Sequence, residues 1–352
     1  MALLQISDVA VRGVAACVPK HIDENSKYPL PEKERDTLIS SIGVERKRTA
    51  DDNTCTSDLC YNAAEKLIRE LNWDKNEIDC LVFVSQTPDY VFPATSCILQ
   101  NRLGLSTECD AQDISLGCSG WVYGLSTISS LIFSGRGNLR KALLLVGDTP
   151  SKFTSIADKS AWPLFGDAGT ATALEYLPGA DGFRFHLSTD GAGADAIIIK
   201  DGGFRHLFSA NSLKMVTYEE GVSRSNLHSY LDGMSIFSFA ISKGPKSINR
   251  LLEEFSIDRE TVDYFLFHQA NLFLNETVRK KLKLERGKVP YSLKNFGNTS
   301  SATIPLTMVT EIGGELKSKK LNHVGCAFGV GLSWASVYFT TDHIACPDLV
   351  EY

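Results

Sequence analysis

The stretch Ser115-Leu116-Gly117-Cys118-Ser119-Gly120-Trp121 sets a cysteine among glycines. A strand-like run precedes it, and a helix-like run follows it over residues 121–133. The stretch therefore predicts a thiol at a strand-to-helix turn. Free N–H groups and partial positive charge at a helix start favour a thiolate, so we expect a lowered pKa and a nucleophilic role for Cys118. The alternative is a buried, unreactive cysteine, the usual state of an unpaired thiol.

Short apolar runs alternate with helix-like runs on both sides of this turn. The predicted strands Val9–Val18, Ile78–Val84 and 142–146 are nearly continuous apolar runs, which are typical of strands covered by helices on both faces. Between the first two of them, Thr56–Leu71 has leucine and alanine at helical spacing. The alternation predicts an α/β layered architecture.

The two halves of the chain share a motif. Residues 71–79 (LNWDKNEID) align without gaps to residues 255–263 (FSIDRETVD), and an apolar strand follows each copy. This repeat indicates a duplicated fold. We expect residues 1–177 to form a half that carries the nucleophilic cysteine, and residues 178–352 to form a second half.

The second half supplies two candidate partners for Cys118. His268 follows a predicted buried strand, at the end where ligands of α/β sheets bind, and Asn298 opens a helix-like run after a glycine. If a pseudo-twofold axis relates the halves, these residues meet Cys118 between them, where small-molecule sites often lie. A thiolate can accept an acyl group, and a neutral imidazole and an amide can donate hydrogen bonds to an oxyanion or enolate.

Cysteine, histidine and asparagine also form the catalytic set of papain-like proteases, in which the histidine deprotonates the cysteine. That function stays open on chemistry alone, although no protease-like sequence surrounds Cys118. The glycine-containing segment Phe328-Gly329-Val330-Gly331 could bring main-chain N–H groups to a reacting carbonyl.

Composition argues against several classes of protein. The chain is 43% hydrophobic and 22% charged, as is usual for globular proteins. A net charge of −6 without a long basic tract argues against nucleic acid as a partner. Nine scattered cysteines with no ligand spacing predict neither a metal site nor a disulfide framework, and reduced cysteines favour the cytoplasm. We see no secretion signal and no apolar run long enough for a membrane span, and we expect no membrane partner.

Four strings, in this order, resemble motifs of the 3-oxoacyl-[acyl-carrier-protein] synthase III family, within the thiolase-like condensing enzymes. They are Gly117-Cys118-Ser119-Gly120, His268-Gln269-Ala270-Asn271, Gly297-Asn298-Thr299-Ser300 and Phe328-Gly329-Val330-Gly331. The similarity covers nearly the whole chain. It implies an α/β thiolase-like fold with five layers, α/β/α/β/α, built from two duplicated halves, and a homodimer.

The resemblance also implies catalytic roles. Cys118 would take an acyl group from acyl-CoA or an acyl carrier protein, and the main-chain N–H groups of Cys118 and Val330 would hold the thioester oxyanion. His268 and Asn298 would then stabilise the enolate that forms when a malonyl thioester, on its carrier protein, loses carbon dioxide. Beyond these substrates, no cofactor and no metal is implied.

Four further residues would bind substrate. By the same resemblance, Phe328 would pack beside His268, and Asn271 would lie along the pantetheine channel. Lys159 would lie near the CoA nucleotide, and Phe92 would reach across the dimer into the partner's acyl tunnel.

The chain departs from the family pattern at the expected channel mouth. Thr37 and Ser41 replace a tryptophan and an arginine that hold CoA, and Phe273 stands where arginine is common, while Lys280 and Lys281 could still attract an acidic carrier. Residues 203–232 form a longer, more polar connection. Two alternatives follow: an acyltransferase that passes the acyl group to an oxygen or nitrogen nucleophile, and a non-catalytic subunit that binds acyl thioesters.

Overall fold

The computed structural model describes residues 2–352. The helices are α1 Glu32–Ile42, α2 Thr56–Leu71, α3 Thr95–Leu103, α4 Gly120–Gly135, α5 Gly233–Glu254, α6 Leu272–Lys281, α7 Leu293–Phe296 and α8 Thr303–Ser318. The strands are β1 Ala2–Ile6, β2 Val9–Val18, β3 Ile22–Glu24, β4 Arg46–Arg48, β5 Ile78–Val84, β6 Asp110–Ile114, β7 Lys141–Asp148, β8 Ala168–Tyr176, β9 Phe183–Thr189, β10 Ile197–Ile198, β11 Val216–Glu219, β12 Val222–Arg224, β13 Tyr230–Leu231, β14 Tyr264–Phe267, β15 Lys320–Gly329, β16 Ser333–Asp342 and β17 Val350–Glu351.

Two large sheets share the order and directions of four strands. The first has the order β17-β2-β8-β7-β5-β6, and the second has the order β1-β9-β16-β15-β14. In the first sheet, β8 is antiparallel to β2 and β7, and β7 is parallel to β5. The second sheet repeats this arrangement, because β16 is antiparallel to β9 and β15, and β15 is parallel to β14.

Helices cover both sheets and fill the space between them. Helices α4 and α8 pack between the sheets, α2 and α3 cover the outer face of the first sheet, and α5 and α6 cover the outer face of the second. Strand β7 shows why its residues are apolar throughout: Ala142 and Leu144 face the middle layer, whereas Leu143 and Leu145 face α2. The result is a five-layer α/β/α/β/α architecture.

The repeated motif forms the same local structure in both halves. Asn72 and Ser256 each adopt a left-handed conformation with φ 51°. Seven residues later, Asp79 accepts hydrogen bonds from the main chain of Arg140 and Lys141, at the start of the neighbouring strand. Asp263 does the same for the N–H of Asn322, at a distance of 2.7 Å. The repeat therefore joins the starts of two parallel strands in each half.

Each terminal strand pairs with a strand of the other half of the chain. Strand β1 pairs with β9 in the second sheet, and β17 pairs with β2 in the first. The expected boundary at residues 177 and 178 falls in the connection between β8 and β9. The division of the chain into two units stays a prediction, with each terminus paired to the other half.

Helix α5 is longer than expected from the sequence. The helical pattern is readable over residues 247–255, but the helix begins at Gly233 and contains Pro245. Proline lacks an N–H and would leave the carbonyl of Ile241 unpaired. Lys281 Nζ donates to that carbonyl at 3.0 Å, which explains how the proline is tolerated. No helix within residues 2–352 combines the length and apolar character that crossing a membrane requires.

Candidate active site

Cys118 lies in the turn between β6 and α4, half-buried, at the edge of the first sheet where parallel strands β5, β6 and β7 end. Glycine allows another segment to approach it closely. A Cβ added to Gly329 would lie 2.5 Å from the Cys118 Cβ and 2.6 Å from its Sγ. The absent side chain at residue 329 therefore leaves the space that the thiol occupies.

A cavity of about 430 Å³ opens beside Cys118. His268, Asn298, Asn271, Phe328 and Val330 line it together with Cys118. Most of the remaining wall is apolar, and includes Ile197, Ile198, Leu231, Ile236 and Phe237. The cavity thus suits an acyl chain that ends in a reactive carbonyl.

The expected lowering of the Cys118 pKa is wrong in direction. Burial raises the pKa of the thiol to about 11, and the carboxylate of Asp148 adds to this effect. Hydrogen bonds from the main-chain N–H groups of Val330 and Cys118 itself, and from the side chain of Ser300, work in the opposite direction. Desolvation outweighs these donors. The resting residue is therefore a thiol near neutral pH, and these donors stabilise the thiolate only once it forms.

His268 follows β14 and is 2% exposed. Burial lowers its pKa to about 3, so the imidazole is neutral at physiological pH. Its Nδ1 lies 2.8 Å from Thr303 Oγ1, and that hydroxyl also lies 3.0 Å from the carbonyl of Ser300. Both contacts of this hydroxyl are satisfied when it donates to the Ser300 carbonyl and accepts from Nδ1–H. When the hydroxyl turns to donate to Nδ1, the proton of the neutral ring lies on Nε2. Nε2 makes no hydrogen bond to protein within residues 2–352.

Asn298 is held by its own main chain and by a short loop. Its N–H donates to the carbonyl of Leu164 at 2.9 Å, and its carbonyl accepts from the N–H of Gly166 at 3.2 Å. Its side-chain Oδ1 accepts from the N–H of Ser300 at 2.9 Å. With Oδ1 engaged, the amide Nδ2 is the atom available to donate to a ligand, since its bond to Ala270 O is long at 3.4 Å.

Asp148 links the two halves beneath the site, although no sequence motif marks it. This residue ends β7 and is fully buried. One carboxylate oxygen accepts from the N–H of Gln86 at 2.7 Å, and the other accepts from the N–H and hydroxyl of Ser301, at 3.2 and 2.6 Å. Burial raises the pKa of this carboxyl, and the same hydrogen bonds oppose that rise. Asp148 fixes Ser301 and so the adjoining Ser300, which touches Cys118 and Asn298.

Two family models match the chain. The model for 3-oxoacyl-[acyl-carrier-protein (ACP)] synthase III matches residues 112–202, and the model for its C-terminal part matches residues 252–341. A beta-ketoacyl-[acyl-carrier-protein] synthase III of Geobacillus kaustophilus is 32% identical over 332 residues, which cover 92% of this chain and 96% of that relative. The chain belongs to the 3-oxoacyl-[acyl-carrier-protein] synthase III family.

Solved structures agree with this assignment. A 3-oxoacyl-(acyl-carrier protein) synthase from Burkholderia xenovorans LB400 is 38% identical, with a TM-score of 0.93 and coverage of 100% of this chain and 99% of that chain. A second crystal structure, of a 3-oxoacyl-(acyl-carrier-protein) synthase III, is 34% identical, with a TM-score of 0.90 and coverage of 94% and 99%. The family and the thiolase-like fold expected from the sequence are confirmed.

The structure brings two of the four expected substrate-binding residues of the synthase III pattern to the cavity. The ring of Phe328 lies edge-on to His268, with 5.9 Å between the centroids. Asn271 lines the cavity, but its Oδ1 also caps α6 by accepting from the N–H of Leu274 at 2.8 Å. This side chain therefore also stabilises the start of α6, which its motif alone does not indicate.

Lys159 and Phe92 lie outside the cavity. Lys159 pairs with Glu34 at 3.0 Å and lines an outer depression with Leu30 and Leu38. That depression adjoins the cavity, because Ser160 lines both. Phe92 is 82% exposed in the loop between β5 and α3. Its expected role in a partner's tunnel remains a prediction.

The mouth of the cavity differs from the synthase III pattern in charge. Thr37 and Ser41, on α1, line a second outer depression with Phe273, whose ring stacks on Phe237 of the cavity wall at 5.5 Å. The same helix carries the acidic residues Glu32, Glu34 and Asp36. Residues 203–232 expose large apolar side chains near one another in sequence: Phe204, Leu207, Phe208, Leu213 and Met215.

Proposed function

We propose that this protein is a condensing acyltransferase that joins an acyl group to the two-carbon unit of a malonyl thioester and so forms a 3-oxoacyl thioester. The observation that carries the proposal is the meeting of Cys118, His268 and Asn298 at one apolar cavity. Family membership supports the same reaction, because the relatives are named for it.

In the first step, the Cys118 sulfur attacks the carbonyl carbon of an acyl thioester. The main-chain N–H groups of Cys118 and Val330, which already face the sulfur, donate to the oxyanion that forms. The bond between the carbonyl carbon and the donor's sulfur then breaks. The donor leaves as a free thiol with the proton that Cys118 gave up, and the acyl group stays on Cys118.

In the second step, a malonyl thioester loses carbon dioxide, and its electron pair forms an enolate. With the Thr303 hydroxyl donating to His268 Nδ1, the Nε2–H of this histidine and the Nδ2–H of Asn298 donate hydrogen bonds to the enolate oxygen. The enolate carbon attacks the Cys118 thioester, the carbon–sulfur bond breaks, and the Cys118 thiolate takes up a proton. A neutral histidine suits this step, because it donates without attracting the malonyl carboxylate, and the apolar wall favours loss of that charge.

The partners follow from the same chemistry. Acyl-CoA and an acyl carrier protein both present the acyl group on pantetheine, so both are candidate donors, and a malonyl carrier protein supplies the extender unit. Lys280 is exposed on α6, two turns beyond Phe273, and could contact an acidic carrier. We also propose a homodimer that includes Phe92. The nine cysteines are all free, which supports a cytoplasmic location.

The test is to incubate the protein with several acyl-CoAs and acyl carrier proteins and to measure the mass of the Cys118 peptide. A malonyl carrier protein is then added, and release of carbon dioxide is followed. Cys118→Ser should abolish the adduct, whereas Cys97→Ser, which replaces an exposed cysteine, should retain it. His268→Ala and Asn298→Ala should retain acylation and lose at least about 100-fold in decarboxylation.

Each other outcome overturns part of the proposal. If no donor acylates Cys118, the protein is not an acyl-transferring enzyme. If acylation proceeds without carbon dioxide release, and the acyl group passes to an amine or an alcohol, the condensation is wrong and the acyltransferase alternative replaces it.

A further inference from the structure

Ser119 directly precedes α4, yet its side chain does not cap this helix. A serine at this position usually accepts an N–H from the first turn, which stabilises the helix. The Ser119 hydroxyl makes no such bond within residues 2–352. It is 1% exposed and lies 2.7 Å from the hydroxyl of Ser333 instead. Ser119 has helical backbone angles, φ −85° and ψ −3°, instead of the extended angles of a capping residue, which leaves its hydroxyl for the bond to Ser333.

The direction of that bond follows from its neighbour. Ser333 begins β16, and its hydroxyl lies 2.8 Å from the carbonyl of Val330. A carbonyl oxygen only accepts, so the single hydroxyl hydrogen of Ser333 is committed to Val330. Ser119 must then donate to the oxygen of Ser333. The two serines form a relay that runs from Ser119 to Ser333 and on to the Val330 carbonyl.

The relay supports one end of the turn that carries Val330. This turn joins β15 to β16, and its other end is fixed because Leu332 exchanges two main-chain hydrogen bonds with Asp190, at 2.8 and 3.1 Å. The N–H of Val330 lies just before both anchors, in the peptide bond that follows Gly329, which is packed against Cys118, and it is placed to donate to the Cys118 sulfur. Ser119 is adjacent to Cys118 in the chain, so the relay joins the segment that carries the nucleophile to the segment that carries the donor.

We infer that Ser119 and Ser333 are positioning residues, whose relay holds the Val330 N–H over the Cys118 sulfur and over the oxyanion formed there. The part that concerns the oxyanion rests on the proposed function, whereas the part that concerns the sulfur does not. The position of the Val330 N–H beside the sulfur does not depend on a substrate, and it can be tested without one.

The test measures the reaction of Cys118 with iodoacetamide as a function of pH, read from the mass of the Cys118 peptide, because Cys97 is exposed and will also react. Ser333→Ala removes the donor to Val330 and should misalign the N–H that stabilises the thiolate. We expect the midpoint of the profile to move to higher pH, and acylation by a thioester donor to slow about tenfold, less than the loss of a whole oxyanion donor.

Ser119→Ala provides a second variant, since it leaves the bond between Ser333 and Val330 intact. We expect a smaller shift in the same direction. The double variant should behave like Ser333→Ala alone, because residues in one relay are not additive. Ser336→Ala is the matched control: it removes a buried hydroxyl, 2.7 Å from that of Ser247, on the same strand. It should leave the alkylation profile of Cys118 unchanged.

An unchanged midpoint in Ser333→Ala would overturn the relay, whatever happens to acylation. If Ser333→Ala does not fold, an unchanged midpoint in Ser119→Ala has the same consequence. An equal shift in Ser336→Ala would also overturn it, because a general loosening of β16 would then explain the result. Failure of every donor to acylate the parent protein would refute the proposed function alone, since the alkylation profiles would still report on the relay.

Discussion

Gly329 gives the Cys118 sulfur its space, and substitution at this residue tests that claim. Its backbone does not need a positive φ, so alanine is acceptable except for its Cβ, which would lie 2.6 Å from Sγ. We expect Gly329→Ala to slow alkylation and acylation of Cys118 at least about tenfold, because the main chain must shift to relieve the contact of 2.5 Å with the Cys118 Cβ and the sulfur moves with it. Peptide mass spectrometry measures both rates. Gly203→Ala, with open space around residue 203, is the control, and acylation of Gly329→Ala at the parent rate would contradict the prediction.

Asp148 is a buried carboxylate that accepts hydrogen bonds from both halves. In Asp148→Asn, one oxygen becomes an NH₂ group that faces the N–H of either Gln86 or Ser301, so two donors confront each other. We expect the free energy of unfolding in urea to fall by about 1–3 kcal/mol. Asp113→Asn changes an exposed carboxylate that caps α3, and it should cost less. Equal losses of unfolding free energy in the two variants would show that Asp148 contributes no more to stability than the exposed cap at Asp113.

The meeting of Cys118, His268 and Asn298 could be predicted from the sequence, because the first two follow predicted strands and Asn298 opens a helix-like run after a glycine in the repeated unit. Their supporting residues could not. Asp148, Ser333 and Thr303 act through hydrogen bonds to segments far away in the chain, and such pairings exist only after the sheets are stacked. The predicted direction of the shift in the Cys118 pKa was wrong for a related reason. A helix start can be recognised in a sequence, but the burial that outweighs its effect cannot.

At the scale of a single helix, Asn271 has two tasks that variants can separate. Its Oδ1 caps α6, and the residue lines the cavity. Asn271→Asp keeps an oxygen for the cap, so stability should be retained, whereas KM for the acyl donor should rise because the NH₂ donor is lost. Asn271→Ala loses both, and should also lower the free energy of unfolding by about 1 kcal/mol. Urea titrations and donor kinetics measure the two effects. If Asn271→Asp were as unstable as Asn271→Ala, the cap would be unimportant.

Element boundaries were predictable where capping and apolar pattern agree, as for α2 and β5, which have the expected bounds. They were not predictable where a tertiary contact overrides local preference. Helix α5 crosses Pro245 because Lys281, on a different helix, pairs with the freed carbonyl. The pattern of residues 233–246 alone carries no trace of that contact.

At the scale of the whole molecule, buried neutral histidines link stability to pH. Burial lowers the pKa of His268 and His323 to about 3. An unfolded histidine titrates near 6.5, so between about 3 and 6.5 the unfolded chain binds protons that these residues do not bind in the folded protein. Their contribution to stability is therefore present above 6.5 and falls as the pH drops through this window. Asp167, whose pKa burial raises to about 6, acts in the opposite direction.

The difference between variants isolates the contribution of His323, which stacks between Tyr264 and Phe339. We expect His323→Gln to reduce the slope of unfolding free energy against pH by up to about 1.4 kcal/mol per pH unit between pH 5 and 6. Urea titrations at each pH provide the slopes, and His343→Gln, at an exposed histidine, is the control. Identical slopes in the parent and in His323→Gln would mean that His323 takes up no proton on unfolding.

The proposed homodimer predicts a difference between two equally exposed phenylalanines. Phe92 adjoins Tyr90 and Val91, which are also exposed, and such a group often marks an interface. We expect Phe92→Asp to convert the dimer to a monomer in analytical ultracentrifugation. Phe204→Asp, which changes a side chain of the same 82% exposure, should leave the dimer intact. The reverse pattern would place the interface on residues 203–232 instead.

The exchange of terminal strands makes the halves interdependent for assembly. A gene cut between β8 and β9 would encode two fragments, and each would lack the strand that completes its sheet: β17 for the first and β1 for the second. Each fragment alone would leave a sheet edge unpaired and open to aggregation. Co-expression would restore both edges at once. The two halves repeat one strand arrangement, but we expect neither half to fold stably without the other.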